Sequence, residues 1–303
     1  MINKFIASVL PYLPKKFVWI FSRRYISGQN IDDAVVASHK LALEGISVTL
    51  DHLGEYISDL SQADEVRKVY LEMIDRFEQE GIHATYSLKP SSFGLQIDPE
   101  TCFGYIREVV EKAHSYRSFV RIDMEDSSCV DAELELYRRV HKLYPLSVGI
   151  VIQAYLKRTP KDLEFLASLH SAESPVNVRL CKGIYVEPES IAVTDRKEIN
   201  VHFLEALDYL FQKNIFVGIA THDRELTDGA QELVQRYSLT DKNYEFQMLY
   251  GVTPELRREL LAAGHKMRVY VPFGKEWFGY STRRLKENPR MAFYIIKALF
   301  YRG

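Results

Sequence analysis

Eight short runs rich in β-branched and aromatic residues, separated by longer segments of helical period, leave this chain few architectures. The runs are ISVTL (46–50), HATYSL (83–88), FVRID (119–123), VGIVIQ (148–153), VNVRL (176–180), FVGIA (216–220), YEFQM (244–248) and MRVYV (267–271). Between them, segment 64–81 places Val66, Val69, Tyr70, Met73, Ile74 and Phe77 at the three-to-four spacing of an amphipathic helix. Segments 99–117, 131–143, 195–213, 224–237 and 254–263 read the same way. Gly81, Gly264 and Asn214 stand where such helices should stop. Pro160, Pro175, Pro254 and Pro272 are expected in connections, because a proline has no N–H to give a strand. Strands each followed by a helix predict an α/β fold, a (β/α)8 barrel of the TIM type, with the working loops at the strand C-terminal ends. A doubly wound sheet is the alternative, but the chain carries neither G-x-G-x-x-G nor a P-loop.

At 303 residues the chain is within reach of one barrel. Residues 1–30 read as a helical N-terminal arm and 31–303 as the barrel. The opening MINKFIASVLPYLPKKFVWIF is broken by Pro11, Pro14, Lys15 and Lys16 well before a membrane span is reached. A formal charge of −2 offers nucleic acid no general attraction, so none is expected as a partner. Cys102, Cys129 and Cys181 are odd in number and far apart, which suits a reducing, cytoplasmic compartment. The histidines are scattered without H-x-H spacing, and no metal site is expected.

The ends of the strands carry the chemistry. They deliver Asp51-His52, Lys89, Asp123-Met124-Glu125-Asp126, Gln153, Arg179 with Lys182-Gly183, Thr221-His222, Gln247 with Leu249, and Tyr270 to one rim. Burying such groups is costly unless they pair with one another or bind something. Asp123 has Lys89, Arg179 and Lys182 as possible partners, and a surplus of cations leaves room for an anionic ligand, with Lys182-Gly183-Ile184 and His222 as donors. After strand eight, YSTRRLKENP (280–289) stacks Tyr280 below Arg283 and Arg284 and Glu287 above them on one helical face. Both guanidiniums can reach one small carboxylate. Taken alone, the pair also reads as a solvated face with Glu287 as its partner.

The succession LKP (88–90), IDMED (122–126), IQAYLKR (152–158), RLCKGIYVEP (179–188), ATHD (220–223), FQMLYGV (246–252), RVYVPFG (268–274) and YSTRRLKEN (280–288) resembles the proline dehydrogenase family in its small monofunctional bacterial form. The resemblance spans nearly the whole barrel. It implies a distorted (β/α)8 barrel holding FAD non-covalently and oxidising L-proline to 1-pyrroline-5-carboxylate, with hydride moving from C5 to flavin N5. It further implies Asp123 and Arg179 as catalytic residues, Arg179 standing near N5. Lys89, Leu249, Tyr270, Tyr280, Arg283, Arg284 and Glu287 would hold the substrate. Met124, Gln153, Arg179, Lys182, Gly183, Ile184, Thr221 and His222 would contact the cofactor.

The resemblance also implies a membrane quinone as electron acceptor and a separate pyrroline-5-carboxylate dehydrogenase downstream. The N-terminal arm or the terminal MAFYIIKALFYRG (291–303) would then touch the inner face of the membrane, or the last helix would simply cover the barrel. One departure is Val186, where the large bifunctional relatives usually have Trp. Competing readings are a Schiff-base aldolase using Lys89 or Lys182 and a non-catalytic ligand-binding barrel.

Overall fold

A computed structural model of the chain describes residues 18–19, 22–54 and 57–281. Its centre is a closed barrel in which β1 (Ser47–His52), β2 (Ala84–Leu88), β3 (Phe119–Ile122), β4 (Val148–Gln153), β5 (Asn177–Cys181), β6 (Phe216–Ala220), β7 (Tyr244–Leu249) and β8 (Met267–Phe273) pair in parallel and in chain order. Around it run α1 (Ile31–Leu43), α2 (Leu60–Gln79), α3 (Pro99–Ser115), α4 (Val130–Leu143), α5 (Thr159–Leu169), α6 (Arg196–Gln212), α7 (Arg224–Arg236) and α8 (Pro254–Ala262). The expected (β/α)8 barrel is present.

Local chemistry sets the helix ends. Asp59, Asp98, Asp195 and Asp223 each cap the helix that follows by accepting backbone N–H groups of its first turn. Gly81, Asn214 and Gly264 take the left-handed backbone just past the ends of α2, α6 and α8, as expected of helix stops. Helix α5 escaped the sequence reading; it is short, and Pro160 stands in its first turn. Strands β1 and β8 run two residues further than expected, because they stay in register as far as His52 and Phe273. Pro272 therefore lies in β8 and not in a connection. It sits one residue from the strand end, where its carbonyl accepts Ser27 N–H at 3.0 Å.

Helix α1, which precedes β1, packs against both β1 and β8. Just after β8, Trp277 and Tyr280 pack with Val18, Tyr25, Ile26 and Leu53.

The strand period of two separates two environments. Val48, Leu50, Val120, Ile122, Ile150, Ile152, Val178, Leu180, Val217, Ile219, Val269 and Val271 are buried in the main apolar core. The alternate positions Asp51, Ser87, Arg121, Gln153, Arg179, Glu245, Gln247 and Arg268 carry polar side chains that are mostly buried as well. The apolar set lies between strands and helices, and the polar set fills the barrel.

Candidate active site

The C-terminal ends of the strands open into a cavity of about 790 Å³. Its lining includes Asp51, Lys89, Asp123, Met124, Gln153, Arg179, Lys182, Gly183, Ile184, Thr221, His222, Gln247, Leu249, Tyr270 and Tyr280. The barrel thus gathers at one mouth every expected site residue within 18–281.

Asp123 is the hub. Its Oδ1 accepts Arg179 Nη1 at 2.8 Å and Ser87 Oγ at 2.7 Å, and its Oδ2 accepts the Tyr270 hydroxyl at 3.1 Å. Lys89 Nζ stands 4.0 Å from Oδ2 but gives its closer bonds, 3.1 and 3.2 Å, to Asp51. Burial, reinforced by the charges of Asp123 and Asp51, holds the Tyr270 phenol well above its usual pKa, so it stays a donor. The Arg179 guanidinium also lies 5.2 Å from the Tyr270 ring centroid, within cation–π range. Arg179 is only 6% exposed, and among the described residues Nη2 has no hydrogen-bond partner.

The second ionic group corrects one expectation. Lys182 does not reach Asp123; its Nζ binds Asp223 Oδ2 at 2.6 Å, and Arg196 Nη2 binds the same oxygen at 2.8 Å. Sequence order gave no sign of this, because β5, α6 and the loop after β6 meet only when the barrel closes. Arg196 and Asp223 both line the cavity and were not among the expected site residues, although Asp223 ends the ATHD run; in the structure it also caps α7. Burial tends to raise the Asp223 pKa, but the bonds from Lys182 and Arg196 outweigh it and hold it at about 2. Among the described lining residues, Lys89, Arg179, Lys182 and Arg196 face Asp51, Asp123 and Asp223, so the cations are in excess. Of the strand-end carboxylates Asp51, Glu125 and Asp126, Asp51 lines the cavity. Glu125 instead accepts Ser91 N–H at 2.7 Å, and Asp126 accepts Ser128 N–H at 3.0 Å.

Two loop positions explain themselves. Gly183 has φ +113°, and a Cβ built there would overlap the Tyr155 ring, so only glycine lets the turn after β5 lie against that ring. The Ile184 N–H points at Gln153 Oε1 over a long 3.4 Å, while Gln153 Nε2 donates to the Glu125 carbonyl at 2.8 Å. His222 Nε2 accepts the Leu249 backbone N–H at 2.8 Å. A backbone N–H can only donate, so the neutral ring carries its proton on Nδ1.

The proline dehydrogenase family model matches residues 34–293, which takes in the whole barrel and its mouth. The chain belongs to the proline dehydrogenase family. Proline dehydrogenase 1 of Bacillus subtilis (strain 168) is 33% identical over 278 residues, covering 92% of this chain and 90% of that protein. The proline dehydrogenase of Deinococcus radiodurans is 31% identical over 291 residues, covering 95% and 92%. A crystal structure of proline utilization A from Bdellovibrio bacteriovorus, inactivated by N-propargylglycine, superposes with a TM-score of 0.86 at 22% identity. It covers 94% of this chain, and this chain spans about a third (36%) of that one, so the likeness bears on the fold. This chain is accordingly an enzyme of the proline dehydrogenase type, and proline dehydrogenases are generally flavin-dependent. Three residues expected of a proline dehydrogenase site, Arg283, Arg284 and Glu287, lie outside the described residues. Among the described residues no helix is long and apolar enough to cross a membrane, and no group of His, Cys, Asp and Glu has metal-binding geometry.

Proposed function

We propose that this proline dehydrogenase oxidises L-proline to 1-pyrroline-5-carboxylate with non-covalent FAD in the strand-end cavity. The observation that carries the reading is Arg179, buried at the cavity in a chain of this family, with Asp123 on Nη1 and, among the described residues, no partner on Nη2. The residues suit a flavin. A 790 Å³ cavity has the size of a cofactor site. Its excess of cationic side chains suits a ligand with a diphosphate, and an orphaned buried N–H suits a ring that gains negative charge on reduction. When bound, FAD supplies the acceptor for the hydride that leaves C5 of proline.

The protein's own residues do the rest. Arg283 and Arg284, with Lys89, hold the substrate carboxylate. Tyr270, Tyr280 and Leu249 enclose the pyrrolidine ring, exclude water and keep C5 in place. A cation-rich mouth disfavours a second positive charge on the ring, so the amine binds neutral with its lone pair available. Asp123 holds Arg179 and Tyr270 in their places. Met124, Gln153, Lys182, Gly183, Ile184, Thr221 and His222 contact the cofactor. Electrons then pass to a membrane quinone reached by a peripheral contact from the cytoplasm. A separate pyrroline-5-carboxylate dehydrogenase takes the product, and residues 1–30 form an arm to the 31–303 barrel.

The aldolase alternative asks for a free lysine amine. Lys89 and Lys182 are engaged as donors to Asp51 and Asp223, which argues against it. The deciding experiment is anaerobic: purify the protein, record its visible spectrum and add L-proline. A yellow protein that bleaches supports the reading, and a yellow protein indifferent to proline redirects it to another substrate. A colourless protein that gains no colour with FAD sinks it.

A further inference from the structure

From the cavity lining into the barrel interior runs a chain of polar groups that packing does not require. Arg179 Nε donates to Gln247 Oε1 at 2.7 Å, Gln247 Nε2 donates to Glu245 Oε1 at 2.8 Å, and Arg268 Nε donates to that same oxygen at 2.5 Å. Arg268 Nη1 finishes the chain on the Val48 carbonyl at 2.9 Å. Gln247 and Glu245 are buried. Barrels of this type are ordinarily filled by branched aliphatic side chains, and buried ions are costly unless each is paired. Room is made for the chain as well: a Cβ at Gly218, in register with both Arg179 and Glu245, would overlap the Gln247 amide.

The chain has a direction. A carboxylate only accepts, so Glu245 draws Nε2 of Gln247 toward itself and thereby turns Oε1 toward Arg179. Burial works against ionisation of Glu245, but Arg268 and Gln247 outweigh it and keep the carboxyl below its ordinary pKa, so the orienting ion persists at neutral pH. Arg179 is then held along two edges, by Gln247 on Nε and by Asp123 and Ser87 on Nη1. Nη2 is the nitrogen left without a partner among the described residues.

We infer that Gln247 and Glu245 are positioning residues, which fix the plane of Arg179 so that Nη2 is presented to the reduced cofactor. This deepens the flavin reading and rests on it. Loss of the chain would leave substrate binding nearly intact but weaken Arg179 as a donor to the reduced ring.

The test is a double-mutant cycle on the flavin-loaded protein, comparing the parent, Gln247→Leu, Arg179→Met and the double variant. Proline-driven bleaching, KM and the two-electron midpoint potential are measured for each. Gln247→Leu should slow bleaching roughly tenfold with KM within about twofold. Its potential should fall by about 30 mV, which for two electrons is a tenfold change in the relative binding of the two redox forms. The double variant should be no slower than Arg179→Met, since residues acting as a unit are not additive. Glu245→Gln keeps the shape without the orienting charge and should move the potential in the same direction by less. Gly218→Ala displaces the Gln247 amide from the other side and supplies the same readouts if Gln247→Leu does not fold. Additive rate losses, or unchanged potentials in the Gln247 and Gly218 variants, overturn the inference and leave the flavin reading standing. An Arg179→Met protein with the parent's rate and potential overturns both.

Discussion

Arg179 Nη1 and Asp123 Oδ1 stand 2.8 Å apart at the mouth of the barrel, each nearly inaccessible to water. Neither ion would be tolerated there alone. Asp123→Ala leaves a buried guanidinium without its counter-charge and should cost about 3–5 kcal/mol of stability. Asp123→Asn, which keeps one of the two acceptor oxygens, should cost less. Urea unfolding at pH 7 distinguishes them; equal stability in the parent and the alanine variant would contradict the pairing.

Arg283 and Arg284 are proposed to clamp the substrate carboxylate. Replacing either with Met removes a charge-assisted bond worth about 1.5–3 kcal/mol, so KM for proline should rise strongly. Steady-state kinetics over a range of proline concentrations check this. A KM equal to the parent's in both variants would place the clamp elsewhere.

Gly183 lies against the Tyr155 ring in a backbone conformation that side chains rarely adopt. Gly183→Ala meets both the ring and the strained φ, and should lower stability by about 1–3 kcal/mol. The same change displaces the turn after β5, so the purified variant should retain less bound flavin, read from the ratio of visible to ultraviolet absorbance.

Asp223 contributes an acid limb to stability. Its folded pKa of about 2 lies below the ordinary carboxylate value, so its contribution is complete above about pH 4 and disappears as pH falls toward 2. Asp223→Asn should flatten the stability profile in that window, followed by thermal unfolding at stepped pH. An unchanged slope would mean that the bond to Lys182 does not persist in solution.

Glu133 has the opposite sign. Burial, and then the neighbouring Glu125 carboxylate, push its acid well above the ordinary range, against a smaller pull from the Glu125 N–H that it accepts at 2.9 Å. The unfolded chain releases this proton near pH 4.3 while the folded one keeps it, so stability falls as pH rises above that value. Glu133→Gln removes the penalty. The variant should melt higher than the parent at pH 8 and level with it at pH 4.

Helix and strand periods, helix stops at Gly81, Asn214 and Gly264, and a polar residue at each strand end are local properties, legible from residues a few positions apart. They were enough to specify a (β/α)8 barrel and to name many of the polar residues at its mouth. Partner choice was not legible in that way. Lys182 binds Asp223 and not Asp123, and Arg196 enters the cavity, because barrel closure sets which strand ends face each other. The same closure puts α1 beside β8 and joins Arg179, Gln247, Glu245 and Arg268 in one chain. Spacing along a chain fixes which face a side chain takes; which charge it meets across an enclosed, poorly screened interior is decided by the register of strands distant in sequence.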